Sequence, residues 1–219
     1  MNTSSNKPLT ILITGAAGYV GAMLVDIFSQ RADVAKIVAL DKTLLPDYIK
    51  NAPKLHYICA NTADGSWQKE VAAMQPDVVI HTAWQIREMY GKKSLQWKWN
   101  IDGSDAVFDF AFATPSVKKL IHFSTVASYG AYPTNTIEHL FTEDEGFRKT
   151  DYLYAEEKRI AEEHLKEKAD AARTRAAQSG VNEHVSVAII RPASITGPRG
   201  RYGRATFGLQ SALSGQLKG

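Results

Sequence analysis

The 219-residue sequence lacks several features that define other classes of protein. Cys59 is its only cysteine, which excludes an internal disulfide bond and a cysteine-based metal cluster and fits a reducing compartment. No apolar run approaches the roughly 20 residues that a membrane-spanning helix needs. Residues 1–8 are polar and contain no signal-peptide core. We therefore expect a soluble, cytoplasmic protein with no membrane partner and a flexible N-terminus over residues 1–8.

An excess of charge of one sign is also lacking. The chain has 26 basic and 23 acidic residues scattered along its length, so its formal net charge is only +3. Because a nucleic-acid-binding surface needs a basic patch or stripe, we expect no nucleic-acid partner. The charged run over residues 156–175 is interpreted as the solvated face of a helix.

The pattern of apolar segments favours one α/β domain. Short apolar segments alternate with helical patterns, which requires crossover connections and a parallel sheet covered on both faces. The sequence therefore predicts a doubly wound parallel sheet of the Rossmann type over residues 9–196. After the first strand, the predicted strands are 36–41, 55–59, 77–82, 117–124 and 185–191, and the predicted helices are 19–30, 65–74, 94–113 and 151–178.

The first strand leads into a turn that contains three glycines. Gly15, Gly18 and Gly21 follow the strand at positions i, i+3 and i+6, and a helical pattern begins there. In a dinucleotide-binding turn, the first glycine permits a sharp bend, the second lets amides approach a pyrophosphate, and the third lets the helix pack closely. The helix N-terminus adds a positive dipole end. The glycines alone also fit a tight turn, but the flanking strand and helix favour the dinucleotide site.

Asp41 ends the second predicted strand, twenty residues after Gly21. A carboxylate at this point can accept hydrogen bonds from both ribose hydroxyls of the adenosine half, and it would repel the additional phosphate of NADP. We therefore predict that the cofactor is NAD rather than NADP, although the neighbouring Lys42 can partly offset the repulsion. The alternative role for Asp41 is that of a turn residue that ends the strand.

Tyr154 and Lys158 lie four residues apart in the last long predicted helix, so their side chains share one face. A lysine charge about 5 Å away would lower the pKa of a phenol by roughly two units at an effective dielectric constant near 20. The pair could therefore act in general acid/base catalysis. The same spacing also fits an exposed pair or an ion pair between Lys158 and Glu162. The position directly before the last strand favours the catalytic alternative.

Six motifs occur in one order along the chain. They are TGAAGYVG at 14–21, HTAW at 81–84, NIDG at 100–103, STVASYG at 124–130, YAEEK at 154–158, and a segment at 191–199 that begins with Arg-Pro and ends with Gly-Pro-Arg. Together they resemble the extended short-chain dehydrogenase/reductase superfamily, which includes the NAD-dependent epimerases and dehydratases of nucleotide sugars. The resemblance covers nearly all of residues 9–219.

The resemblance implies a catalytic triad of Thr125, Tyr154 and Lys158. Tyr154 would transfer a proton, Lys158 would lower its pKa and hold the nicotinamide ribose, and Thr125 would hydrogen-bond the reacting oxygen. Tyr154 would remove a hydroxyl proton while hydride passes from the same carbon to NAD. In an epimerase or dehydratase the hydride later returns to the substrate, whereas in a dehydrogenase it leaves as NADH.

The resemblance also implies the ligand contacts. Asn61 replaces an acidic residue that the family often has after its third strand, and Trp84 replaces a small one, so its indole either packs in the core, narrows the pocket or stacks on a ligand. His81 and His122 lie in apolar strands without partner ligands at a recognised spacing, so no metal is expected. The expected cofactor-binding residues are Gly15, Ala17, Gly18, Tyr19, Val20, Gly21, Asp41, Lys42, Asn61, Thr62, Thr82, Ala83, Trp84, Asn100, Tyr154, Lys158, Pro192, Ala193 and Ile195. The expected substrate contacts are Trp84, Thr125, Ser194 and Arg199.

Members of the superfamily normally continue beyond the length of this chain, so residues 197–219 are expected to begin a substrate-binding lobe that is mostly absent. Three functions stay open. The first is an epimerase or dehydratase acting on a hydroxyl-bearing substrate, for which the family implies a nucleotide sugar. The second is a simple NAD-dependent alcohol or sugar dehydrogenase, and the third is an NAD-binding sensor or structural module without turnover. The implied assembly is a homodimer, formed through the long helix over 151–178 and the helix before it.

Overall fold

A computed structural model describes residues 7–130, 132–178 and 184–195. Their six strands form one sheet in the order β3-β2-β1-β4-β5-β6, and every neighbouring pair is parallel. This is the strand order of the doubly wound Rossmann fold, so the fold prediction is confirmed. The strands are β1 (Leu9–Thr14), β2 (Val34–Asp41), β3 (Leu55–Cys59), β4 (Val78–His81), β5 (Lys119–Phe123) and β6 (Ser186–Ile190).

Helices cover both faces of the sheet because alternate strand residues point to opposite sides. Leu12 of β1 lies in a core with Phe108 and Leu165. Its neighbour Ile13 lies in the other core with Val25. No helix of the described part of the chain is both long and apolar enough to cross a membrane. The helices are α1 (Tyr19–Ser29), α2 (Gln68–Ala73), α3 (Lys93–Trp97), α4 (Gly103–Ala113) and α5 (Leu153–Gln178).

Two predicted helices differ from the observed ones. The predicted helix over 94–113 is interrupted by a π-helical turn at Lys98–Asp102, which separates α3 from α4. Such a turn inserts an extra residue and is frequent at functional sites. The helix predicted over 65–74 is shortened to Gln68–Ala73 and is preceded by a 3-10 turn at Thr62–Asp64. Gly103 begins α4 beside this turn, where a Cβ would lie 2.5 Å from Oγ1 of Thr62.

Candidate active site

The glycine turn after β1 has a geometry that requires glycine at two positions. Gly15 has a φ of +72°, in the left-handed region, and a Cβ on it would lie 2.5 Å from the backbone nitrogen of Ala83. A Cβ on Gly21 would overlap the carbonyl oxygen of Gly15. Side chains at these positions would therefore push apart the turn, α1 and the segment that follows β4.

Asp41 ends β2 beside this turn and accepts hydrogen bonds through both oxygens of its carboxylate. Its Oδ2 accepts a hydrogen bond of 3.0 Å from the backbone nitrogen of Ala17. Its Oδ1 accepts bonds of 2.9 Å from both the backbone nitrogen and the hydroxyl of Thr43. Asp41 is thus a turn residue that also holds the glycine turn, and its carboxylate retains acceptor capacity for further hydroxyl donors.

A cleft opens at the carboxyl ends of β1, β2 and β4, where ligands bind in doubly wound sheets. It brings together ten of the residues predicted to bind the cofactor, which are Gly15, Gly18, Asp41, Lys42, Asn61, Thr62, Thr82, Ala83, Trp84 and Asn100. Its lining also contains four residues that the sequence analysis did not select, namely Leu40, Ala60, Gln85 and Trp99. The other predicted cofactor residues lie outside this lining, among them Ala17, Tyr19, Val20, Gly21, Tyr154, Lys158, Pro192, Ala193 and Ile195.

Lys42 and Trp99 meet across one end of the cleft. The ammonium of Lys42 lies 3.2 Å from the ring centroid of Trp99, which is a close cation–π contact. Burial lowers the pKa of Lys42, while the nearby charge of Asp41 acts in the opposite direction. Trp97, two residues earlier, is 42% exposed. The alternating tryptophans could have identified this contact, because only one of two residues at that spacing can face the cleft.

Short hydrogen bonds fix the polar residues at the strand ends. The hydroxyl of Thr82 donates to the carbonyl oxygen of Thr14 at 2.7 Å, which ties the end of β4 to β1. Asn61 Oδ1 accepts a bond of 3.0 Å from the backbone nitrogen of Ala63 and so caps the following 3-10 turn. Thr62 is buried in that turn. These contacts give the cleft a floor of defined shape.

Thr125 and Tyr154 lie close together at the end of β5. Thr125 Oγ1 accepts a bond of 3.1 Å from the backbone nitrogen of Ala127 and caps the turn that follows. The pKa of Tyr154 is raised, because the effect of burial exceeds the opposing effect of the Thr125 hydroxyl, which favours the phenolate. The sequence-based expectation of a lowered phenol pKa is therefore wrong for this state of the protein, since it counted a lysine charge and omitted burial.

Lys158 is almost fully buried, at 4% exposure. Its ammonium donates a short hydrogen bond to the carbonyl oxygen of Phe123. It also lies 3.8 Å from the ring centroid of Trp84, whose indole lines the cleft. Burial lowers the pKa of Lys158 to about 7, with Glu162 acting in the opposite direction. Lys158 therefore carries only part of a positive charge near neutral pH, which limits its effect on Tyr154.

Two carboxylates of α5 are buried, although the charged run over 156–175 was predicted to be a solvated helix face. Glu162 is fully buried and pairs with Arg191, and the ammonium of Lys166 lies 3.1 Å from it. Glu162 therefore forms its ion pairs with Arg191 and Lys166, while its charge still acts to raise the pKa of Lys158. Glu157 is 2% exposed. The run over 156–175 is therefore not entirely a solvated face, because α5 packs on the sheet and turns these two side chains inward.

The segment after β6 approaches the predicted catalytic residues through its backbone. The carbonyl oxygen of Pro192 accepts a bond of 3.2 Å from the backbone nitrogen of Val126, next to Thr125. Ala193, Ser194 and Ile195 follow and are exposed. The predicted substrate contact Arg199 lies outside the described residues, as does the rest of the segment over 197–219.

The two strand histidines lie in the core behind the cleft. Their rings stack with centroids 5.4 Å apart. His81 is hydrogen-bonded through Nδ1 to Thr14 at 2.7 Å and through Nε2 to Ser104 at 2.9 Å, and burial lowers its pKa to about 3. Within the described ranges, no group of three or more His, Cys, Asp or Glu side chains is arranged to hold a metal ion.

Comparison with known proteins gives a match over most of the chain. The model of the NAD dependent epimerase/dehydratase family matches residues 11–216. The UDP-glucose 4-epimerase of Mycolicibacterium smegmatis is 30% identical over 135 residues, which are 57% of this chain and 42% of that protein. The trifunctional UDP-glucose 4,6-dehydratase/UDP-4-keto-6-deoxy-D-glucose 3,5-epimerase/UDP-4-keto-L-rhamnose-reductase of Arabidopsis thaliana is 27% identical over 139 residues, which are 59% of this chain and 21% of that protein.

Solved structures share the fold. The Bordetella bronchiseptica enzyme WbmH, in complex with NAD+, superposes with a TM-score of 0.74 at 22% identity, covering 94% of this chain and 63% of that one. The dTDP-glucose 4,6-dehydratase of Bacillus anthracis, in complex with NAD, gives 0.71 at 20% identity, covering 94% and 62%. The chain thus spans less than two thirds of these structures and less than half of the curated relatives described above.

Proposed function

The chain belongs to the NAD-dependent epimerase/dehydratase family, and from this premise we propose that it forms the nucleotide-binding part of an enzyme that epimerises or dehydrates a nucleotide sugar. One observation carries the proposal. Trp84 lines the cleft beside the glycine turn, and its ring lies 3.8 Å from the ammonium of Lys158. Lys158, one of the predicted catalytic residues, therefore lies beside the cleft, which supports the proposal.

The residues of the cleft fit NAD. A Cβ at Gly15 or Gly21 would break the close packing of the turn. No side chain caps the N-terminus of α1 at Gly18, so the amides of its first turn could bind a pyrophosphate. Asp41 stands at the end of β2 with acceptor capacity for the adenosine ribose and with a charge that disfavours NADP. We propose residues 9–196 as the NAD-binding domain and residues 197–219 as the start of a substrate-binding lobe.

When bound, NAD supplies the hydride acceptor of the reaction. The residues of the chain then handle the proton. Tyr154, as the phenolate, can accept the proton of the substrate hydroxyl when the substrate is oxidised, and the phenol so formed can return it when the substrate is reduced. Its raised pKa makes the neutral phenol the prevailing form at pH 7 and so limits the phenolate available for the oxidation. The Thr125 hydroxyl lies close enough to favour its phenolate form, and the same hydroxyl can hold the substrate oxygen. Lys158, in its protonated form, adds a positive charge on the same face of α5.

The substrate class rests on the relatives. Their names specify UDP-glucose and UDP-4-keto sugars, so we propose a UDP sugar, or a nucleotide sugar of similar chemistry, as the substrate. We also propose a cytoplasmic homodimer formed through α4 and α5, the helices that the family resemblance implies. The mass of the protein in solution tests the dimer independently of activity.

The test of catalysis is a matched pair of tyrosine variants of the whole protein that contains this chain. Turnover of UDP-glucose, UDP-galactose and UDP-glucuronate is followed by chromatography in the presence of NAD. Tyr154→Phe should lower turnover by about 100-fold or more while NAD still binds, because it removes the oxygen that accepts and returns the substrate proton. Tyr152→Phe, at a residue that is 55% exposed, should change turnover little. Unchanged turnover in Tyr154→Phe would contradict the catalytic role, and NAD binding with no turnover of any sugar would favour a non-catalytic module.

A further inference from the structure

The segment that leaves β4, residues 84–92, is a wall of the cleft without helix or strand. Trp84 and Gln85 at its start line the cleft. Several of its large side chains project into solvent, for example Ile86 at 58% exposure and Tyr90 at 86%. Packing of its own side chains therefore contributes little to its shape, and its backbone must be held in another way.

Two buried amide side chains hold the backbone of this segment at two points. Asn100 accepts a hydrogen bond of 2.7 Å from the backbone nitrogen of Gln85 through Oδ1 and donates one of 3.0 Å to the carbonyl oxygen of Gln85 through Nδ2. Oε1 of Gln96 accepts a bond of 2.7 Å from the backbone nitrogen of Met89, which lies four residues after Gln85 in the segment. Asn100 and Gln96 are 0% and 1% exposed.

Both amides donate to the same carboxylate oxygen. Oε2 of Glu157 accepts a bond of 2.7 Å from Nδ2 of Asn100 and one of 3.1 Å from Nε2 of Gln96. Glu157 belongs to α5 and is itself 2% exposed. A buried carboxylate is costly unless donors satisfy it, and here two neutral amides do so.

The orientation of an amide side chain decides which backbone group it can bind. Its oxygen end accepts from an N–H group and its nitrogen end donates to an acceptor. Because Glu157 Oε2 engages the nitrogen ends of both amides, both oxygen ends face the segment, where the N–H groups of Gln85 and Met89 need acceptors. We propose that Glu157 is a positioning residue that sets the orientation of Asn100 and Gln96 and thereby fixes residues 85–89.

The consequence for the cleft rests on the proposed function. Glu157 directly precedes Lys158, so one turn of α5 supports the cleft wall and carries the predicted catalytic lysine. Through Asn100 it holds Gln85, and the neighbouring Trp84 lies against the ammonium of Lys158. Loss of the Glu157 acceptor should therefore loosen the wall against which we propose that NAD binds.

Hydrogen exchange at single backbone amides tests the proposal without relying on cofactor or substrate. In Glu157→Met, the amides of Gln85 and Met89 should exchange about tenfold faster or more, because both acceptor side chains lose their orientation. The amides of β1 should keep their rates. Glu157→Gln, which retains an acceptor oxygen, should restore part of the protection. Glu163→Met is the matched control on the same helix, since Glu163 is 44% exposed in its side chain and pairs with Arg159.

A second variant keeps the test informative if Glu157→Met fails to fold. Gln96→Met should release the amide of Met89 and leave that of Gln85 protected, because Asn100 keeps its bond to Glu157. Unchanged exchange at both amides, or equal acceleration throughout the protein, would overturn the positioning role. If these amides exchange faster in the variants but the wild-type protein binds no NAD, the role of Glu157 is supported and the proposed function is contradicted.

Discussion

The two walls of the cleft are held in place by different means. The glycine turn over residues 15–21 is constrained by its residue types, because Gly15 has a left-handed backbone and no room for a Cβ beside Ala83, and because Asp41 accepts a hydrogen bond from Ala17. The segment over 84–92 is held by the amides of Asn100 and Gln96, and both amides are bonded to Glu157, which lies 57 and 61 residues further along the chain. The glycine turn can therefore be recognised from a short sequence motif, whereas the contacts that hold the segment over 84–92 can be identified only in the folded structure.

The largest effect is expected from adding a side chain in the glycine turn. Gly15→Ala should lower the free energy of unfolding by about 3 kcal/mol, because it combines a left-handed backbone with a Cβ 2.5 Å from Ala83. Gly65→Ala is the matched control, since Gly65 has a φ of +66° but no atom within 4 Å of an added Cβ. It should cost only about 1 kcal/mol. Urea unfolding measures the loss of free energy in both variants. Equal losses would show that close packing against Ala83 does not constrain the glycine turn.

The second effect concerns Lys158, which lies behind the other wall against Trp84. Its pKa is about 7 in the folded protein against 10.5 for an ordinary lysine. Between these values the unfolded chain binds a proton that the folded protein does not, so this group makes the protein more stable as pH rises. Relative to Lys158→Met, the unfolding free energy of the wild type should increase by up to about 1.4 kcal/mol per pH unit between pH 7 and 9. Parallel pH profiles of the two proteins would contradict the burial of this ammonium.

The smallest effect is expected at the cation–π contact between Lys42 and Trp99 at one end of the cleft. In Trp99→Ala, Lys42 loses its aromatic partner and becomes free to approach a phosphate near Asp41. The ratio of the NADP to NAD dissociation constants should therefore fall by about threefold to tenfold. Trp97→Ala removes a tryptophan that is 42% exposed and should leave the ratio unchanged. A similar fall in both variants would show that Trp99 does not act through Lys42.

The fold could be predicted closely because its strands are short apolar runs that alternate with helical patterns. The range of β3 agrees with the prediction, and those of the other strands after β1 differ from it by at most two residues at either end. The π-helical turn at Lys98–Asp102 escaped prediction, since an inserted residue leaves the apolar pattern of a helix nearly intact. The turn is nevertheless what carries Trp99 and Asn100 into the cleft.

The sequence predicted those site residues whose type and spacing indicate their place in the fold. It did not predict the properties that depend on burial, namely the inward orientation of Glu157 and the pKa of Tyr154. Gly15 and Asp41 lie where their spacing indicated. Glu157 could not be separated from its charged neighbours, because a glutamate in a helix gives no sign of pointing inward. The direction of the Tyr154 pKa was wrong for the same reason, since the charge of a neighbour can be counted in a sequence and the loss of solvent cannot.

The central claim is that this cleft binds NAD and discriminates against NADP. Calorimetric titration of the purified protein with each dinucleotide tests it most directly. We expect NAD to bind and NADP to bind at least about tenfold more weakly, because the Asp41 carboxylate repels the additional phosphate. Binding of NADP as tight as that of NAD, or no binding of either dinucleotide, would contradict it.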